Sequence, residues 1–220
     1  MSTPTVVDLV FNVLGSTVPQ DHGYALYGAI VRVVPGVHAS ADVGIFPIRG
    51  LSSERAVLRL SPASVLRIRL PADRIPLVLP LAGKPLDVDG HSLRVGVPRV
   101  APLIAAPSLT SVLVTIKLAK PGPRETFVAP DAFLLAARKQ LQERRVHGEP
   151  QLLARRTGAR EGEPLRRVIR IKGQTHVGYG MAVEGLTAEE SIVLQERGLG
   201  GRRLMGCGLF LPVRDGQVGR

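Results

Sequence analysis

Apolar and polar positions recur along this chain in a pattern that predicts one structural plan used twice. Val6 to Val13 is a nearly continuous apolar run, the mark of a buried strand. Pro19 and Asp21 then open a helix, with Asp21 as its N-cap. Ala25, Leu26, Ala29, Ile30 and Val33 follow at helical spacing, and Pro35-Gly36 ends it. Gly44 to Ile48 and Ala56 to Leu60 predict short strands. Val65 to Leu70 alternates apolar residues with Arg67 and Arg69, which predicts a half-exposed strand. Asp73 to Leu81 predicts a short helix, and Ser92 to Leu103 a further strand or two. The order approximates β-α-β-β-α-β.

The pattern then starts again. Leu109 to Leu118 predicts a strand, and Pro130 to Arg145 predicts the clearest helix. Its Phe133, Leu134, Ala137 and Leu141 share one face, opposite Arg138, Lys139, Arg144 and Arg145. Gln151 to Arg155, Arg166 to Lys172 and Val177 to Leu186 predict strands. Thr187 and Glu190 are spaced as a capping box for a helix running to about Arg197. A strand from Leu209 to Val213 closes the chain. The fold class is therefore α+β, with two tandem ferredoxin-like (βαββαβ) domains over residues 1–107 and 108–220. A single larger α+β domain is the alternative.

Charge changes the picture. Among 220 residues, 29 are Lys or Arg and 18 are Asp or Glu, a formal net charge of +11. A globular chain this basic is suited to a polyanion. Residues 138–172 concentrate that charge, with 11 basic and 4 acidic positions. Arg138, Lys139, Arg144, Arg145, Arg155, Arg156 and Lys172 are thus candidate phosphate contacts. A solvated basic face is the plain alternative for any one of them. No apolar run is long enough to span a bilayer, the start lacks the regions of a signal peptide, and a single cysteine excludes an internal disulfide. These features predict a soluble, cytoplasmic protein. No phosphate-binding P-loop or paired acidic metal motif is present, and the histidines lack metal-ligand spacing, so neither a metal nor a cofactor is expected. With 8 aromatic residues and no Trp, backbone and shape are expected to matter more than base stacking.

Residues 198–208 read Gly-Leu-Gly, then Gly201-Arg202-Arg203-Leu204-Met205, then Gly-Cys-Gly. Gly198, Gly200, Gly206 and Gly208 allow close backbone approach. Their N–H groups are expected to form an anion-binding nest, with Arg202 and Arg203 as bidentate phosphate donors. A glycine-rich turn before the last strand is the simpler reading. Among five histidines, His22 at the start of the first helix is the first choice as acid–base group. The helix N-terminus should lower its pKa and keep it neutral. A first-turn histidine with a local hydrogen bond is the alternative. His38 is second, and Tyr24 is placed to reach a substrate phosphate while Tyr27 packs in the core. His91 reads as surface, His147 as a possible phosphate contact, and His176 as part of a turn with Lys172.

The glycine loop resembles the signature of the CRISPR-associated RAMP superfamily, in particular its precursor-crRNA-processing endoribonucleases. Asp21 to Tyr27, Gly44 to Gly50, and the segment from Glu189 through Gly208 carry the resemblance, and that last segment, with Phe210 and Pro212, looks most like a myxobacterial-type subtype. It implies tandem ferredoxin-like folding and metal-independent cleavage of a CRISPR repeat stem-loop RNA. In that reaction a 2′-hydroxyl attacks the adjacent phosphate, leaving a 2′,3′-cyclic phosphate and a 5′-hydroxyl. It places a catalytic histidine at His22, with Lys172, Arg202 and Arg203 as candidates to stabilise charge on phosphorus. Other effector-complex subunits are further candidate partners. RAMP relatives that hold crRNA without cutting it are the competing class.

Overall fold

The computed structural model describes residues 5–118, 129–155, 157–158 and 160–213. The chain divides into two compact units. The first runs through Leu103 and takes in Arg203–Gly206; the second comprises Ile104–Arg202 and the chain from Cys207 onward.

The first unit begins with β1 (Val6–Leu14), β2 (Thr17–Pro19) and α1 (Gly23–Val33). A 3₁₀ turn over Pro35–Ala39 follows, then β3 (Gly44–Ile45), β4 (Ser52–Glu54), β5 (Val57–Arg59) and β6 (Val65–Pro71). α2 (Ile75–Val78), β7 (Pro85–Val88) and β8 (His91–Pro102) complete it. Its main sheet is antiparallel with order β3-β6-β1-β8-β7. Leaving out the β7 edge, the four strands follow the 2-3-1-4 order of a ferredoxin-like unit, with α1 and α2 as the crossover elements. α1 buries Leu26, Ala29 and Ile30 against Leu9, Phe11, Leu66 and Ile68 of the sheet.

Three local expectations are corrected here. Asp21 does not cap α1; His22 occupies the cap position, and no side chain caps there. The segment after β6 is a 3₁₀ turn, one α turn and another 3₁₀ turn rather than one helix. Pro76 and Pro80 lack the N–H groups that a continuous helix needs. β6 is not half-exposed: Arg69 is fully buried. Asp8 lies opposite it on β1 and accepts from Arg69 Nε at 2.7 Å and Nη2 at 3.0 Å, and from Arg67 Nη1 at 2.7 Å. The shared carboxylate is paired by both guanidinium groups, and the buried Arg69 is not left as an uncompensated charge. In addition, β2, β4 and β5 form a small second sheet, with β5 in the centre.

The second unit contains β9 (Ser108–Val114), α3 (Pro130–Glu143), β10 (Glu149–Leu152), β11 (Arg166–Ile171), β12 (Gln174–Glu184), α4 (Ala188–Arg197) and β13 (Leu211–Pro212). Its sheet order β10-β12-β9-β13 is again 2-3-1-4, with β11 paired to β12 as an added strand. α3 buries Phe133, Ala137 and Leu141, and Phe133 meets Tyr179 edge-on at 5.0 Å between ring centroids. The predicted capping box of α4 is present: Glu190 N–H donates to Thr187 Oγ1 and Thr187 N–H to Glu190 Oε2. Cys207, the sole cysteine, lies fully buried in this unit. The two units thus repeat one α+β ferredoxin-like plan. Among the described residues, no helix is long and apolar enough to cross a membrane.

Candidate active site and basic loop

α1 places a histidine beside each of its ends. At the N-terminal end, His22 is buried, 3% exposed. Its Nδ1 lies 2.8 Å from the Pro19 carbonyl oxygen, and Ile48 N–H donates to Nε2 at 2.9 Å. A carbonyl only accepts and an amide N–H only donates, so the ring is neutral with its proton on Nδ1. Burial lowers its pKa below the ordinary 6.5, against smaller opposing effects of the Pro19 carbonyl, Asp21 and Gln20. The neutral state matches expectation, but its cause is burial rather than the helix N-terminus. Both nitrogens are engaged with backbone, so His22 has neither lone pair nor proton left for a substrate. It pins the Gly44-to-Gly50 segment to the start of α1.

Beyond the other end of α1, the chain turns at Pro35-Gly36 and presents His38 on the 3₁₀ turn, exposed to solvent. His38 Nδ1 is hydrogen-bonded to the Tyr27 hydroxyl. Among the described residues Nε2 has no partner. Tyr27 is 8% exposed, and burial followed by the neighbouring Tyr24 raises its pKa, which keeps it a phenol. Tyr24 stacks obliquely on Tyr27 with centroids 6.2 Å apart and packs against the apolar core. Tyr24 therefore touches Tyr27 and not His38. The sequence reading assigned Tyr27 to the core. Its ring is there, but its hydroxyl orients the one exposed histidine near α1.

The glycine loop is built differently from the nest anticipated. Gly198 N–H donates to Leu194 O, Gly200 N–H to Gln140 Oε1, Gly206 N–H to Arg203 O and Gly208 N–H to Leu113 O. The N–H groups face the protein itself. A Cβ at Gly200 would stand 2.2 Å from Thr115 O, and one at Gly208 would stand 1.9 Å from Leu199 O. Both also have positive φ, at 73° and 66°. Glycine is required so that the loop backbone can lie directly on β9 and on itself. The two arginines do not act as one pair. Arg202, at φ 65°, belongs to the second unit, where its Nη2 donates to His176 Nδ1 at 2.9 Å and its Nη1 reaches Thr115 Oγ1 at 3.4 Å. Arg203 begins the 3₁₀ turn Arg203–Met205 of the first unit, whose Leu204 and Met205 pack on that unit's core.

Elsewhere in the second unit, Arg138 donates to Glu149 through Nε at 3.1 Å, an exposed ion pair that reduces its availability. Arg144 donates to Gln140 O, and burial lowers its pKa. Lys139 and Arg155 are on the surface or partly exposed, and Arg145 takes a positive φ of 57° just past α3. Arg156 lies outside the described residues. Lys172 and Gly173 form the two-residue turn between β11 and β12, both with positive φ, as a type I′ turn requires. His176 is not in that turn but on β12, opposite Ile169. His147 bonds Glu190 Oε1 through Nδ1 and its backbone N–H, so it braces α4. The N–H groups of Thr187 and His147, then the His147 side chain, hold the Glu190 pKa down at about 2. His91 accepts from or donates to Thr17 Oγ1 at 2.8 Å. Among the described residues, no group of three or more His, Cys, Asp or Glu side chains is placed to hold a metal ion.

Comparison with known proteins agrees with this plan. The model of the Cas6 CRISPR family matches residues 7–215. The CRISPR-associated endonuclease Cas6 of Myxococcus xanthus is 39% identical over 206 residues, covering 94% of this chain and 81% of that protein. The chain belongs to the Cas6 family. It is accordingly a CRISPR-associated endonuclease, and the myxobacterial-type likeness read from the glycine loop holds. Solved structures share the Cas6 fold at low identity. A RAMP protein described as binding different RNA substrates superposes with a TM-score of 0.69 at 12% identity, over 94% of this chain and 100% of that one. A Cas6-related protein from Pyrococcus furiosus gives 0.66 at 11% identity, over 96% and 99%.

Proposed function

We propose that this Cas6 protein is a metal-independent endoribonuclease that cleaves CRISPR repeat RNA, with His38 rather than His22 as its acid–base group. The observation that carries this assignment is the exposed His38 imidazole, oriented at Nδ1 by the Tyr27 hydroxyl. With its proton on Nδ1 directed to Tyr27 Oη, the ring offers the Nε2 lone pair to substrate. Nε2 takes the proton from the 2′-hydroxyl beside the scissile phosphate. The 2′-oxygen bonds to phosphorus, the bond to the 5′-oxygen breaks, and that oxygen takes up a proton. The products are a 2′,3′-cyclic phosphate and a 5′-hydroxyl. Lys139, Arg144, Arg145, Arg155, Lys172 and Arg202 supply phosphate contacts in the second unit, with Arg138 weakened by Glu149. In this reading the glycines at 198, 200, 206 and 208 shape the loop that carries Arg202, and do not themselves bind anion.

The test is cleavage of the repeat RNA from the CRISPR array nearest the gene, in EDTA, beside the same RNA with one 2′-deoxy sugar at the cut site. One cut that leaves a cyclic phosphate, vanishes with the deoxy sugar and slows at least about 100-fold in His38→Ala is expected. Cleavage of the deoxy substrate, or a requirement for divalent metal, would overturn the mechanism. Tight binding without any cut would place the protein with the RAMP subunits that only hold crRNA.

A further inference from the structure

Arg202 of the glycine loop sits in a constrained setting. Its backbone is left-handed, at φ 65°. Gly201 N–H donates to Thr115 O at 3.0 Å, and Thr115 Oγ1 donates to Gly201 O at 3.3 Å, so the residue before Arg202 is clasped to the end of β9. Thr115 is 2% exposed, and its one hydroxyl proton goes to Gly201 O, which leaves a lone pair for Arg202 Nη1. A guanidinium only donates, so His176 Nδ1 accepts from Nη2 and the ring proton sits on Nε2. Burial, then the charge of Arg202, lowers the His176 pKa and keeps this acceptor neutral. Among the described residues no carboxylate pairs with Arg202. Two uncharged acceptors thus fix the side chain's direction without neutralising it. A carboxylate in either place would have held Arg202 as well and removed the charge an anion needs.

We propose that His176 and Thr115 are positioning residues that hold Arg202 in one pose for a phosphate oxygen of the RNA. This rests on the RNA-processing reading above. Fixing a long cation before binding removes the ordering entropy that a surface arginine would lose on contact. It also leaves further guanidinium N–H groups of Arg202 for the anion.

The test is a double-mutant cycle, read as Kd for the repeat hairpin RNA carrying the 2′-deoxy sugar at the cut site. Arg202→Ala is expected to weaken binding about tenfold or more and to lower the salt dependence by about one phosphate contact. His176→Ala should reproduce most of that loss, and the double variant should be no worse than Arg202→Ala alone. His176→Asn restores an acceptor near the Nδ1 position and should recover part of the affinity, which a purely structural loss would not. Thr115→Val, with melting checked beside it, should weaken binding by a smaller factor that also disappears in the Arg202→Ala background. Additive losses, or a His176→Ala protein that binds like wild type, would overturn the proposal while leaving the RNA reading intact. A wild-type protein that binds the repeat hairpin no better than a scrambled hairpin would overturn that reading and this proposal together.

Discussion

Two histidines flank α1, and the fold has set the same ring in opposite surroundings. His22 is enclosed, and both its nitrogens answer to backbone groups. His38 is exposed, and a tyrosine engages one nitrogen. A catalytic imidazole needs a fixed orientation and one available nitrogen. His22 has the first without the second. His38 has both, because the 3₁₀ turn brings it back beside the middle of α1, where Tyr27 can reach it. A perturbed pKa alone therefore does not mark an active site. The pKa of His22 is lowered because the ring is buried, while its hydrogen bond to Pro19 opposes the shift.

The largest expected effect separates the two residues directly. His38→Ala should reduce single-turnover cleavage at least about 100-fold, with an unchanged melting curve. His22→Ala should do the reverse. It leaves Ile48 N–H and Pro19 O without their partner, so stability should fall by about 2 kcal/mol, read as a lower denaturation midpoint. A large rate loss without destabilisation in that variant would return His22 to the catalytic role. Tyr27→Phe comes next: losing the hydroxyl should slow cleavage about tenfold through kcat, with KM little changed, because His38 loses its orientation and not its substrate. An unchanged kcat would show that His38 needs no tyrosine.

Two smaller effects are read by pH. The folded-state pKa of His22 lies below 6.5, the value for the unfolded chain, so the unfolded chain takes up the proton first. Stability should therefore decline as pH falls below about 6.5, and His22→Ala should flatten that part of the curve. Glu190 acts over a lower range. Its pKa is 4.5 in the unfolded chain and about 2 in the fold, so its contribution is present above 4.5 and lost as pH falls toward 2. Glu190→Gln should lower the neutral-pH stability by about 1 kcal/mol or less and remove that acid dependence. Equal acid sensitivity in the variant would show that the capping box contributes nothing through its charge.

What was legible in the sequence followed how locally each feature is determined. The capping box needs residues three apart, and Thr187 and Glu190 formed it as expected. The repeated β-α-β-β-α-β order needs only apolar periodicity, and both sheets adopt the same 2-3-1-4 arrangement. Errors arose where a distant partner decides. Arg69 looked solvent-facing until Asp8 was placed across from it by strand pairing. His22 looked available until Ile48 came back to it. The glycine loop was recognised by its spacing, but spacing does not say whether a missing Cβ makes room for a ligand or for the chain's own backbone. At Gly200 and Gly208 it is the chain's backbone. Of the small sheet, the central strand β5 falls within the predicted Ala56 to Leu60, whereas β2 and β4, three residues each, are too short to show a period. One signal for Tyr27 was available: a tyrosine midway along α1 and a histidine just after a Pro-Gly reversal can meet when the chain folds back on the helix.

The enclosure of Cys207 also has a practical side. It is the only thiol in the chain and is 0% exposed, so thiol-directed dyes have no target on the native surface. A cysteine introduced at an outward position such as Leu135, which is 69% exposed on α3, would be the sole point of attachment. A fluorophore there could report RNA arrival in real time without any native residue having to be removed first.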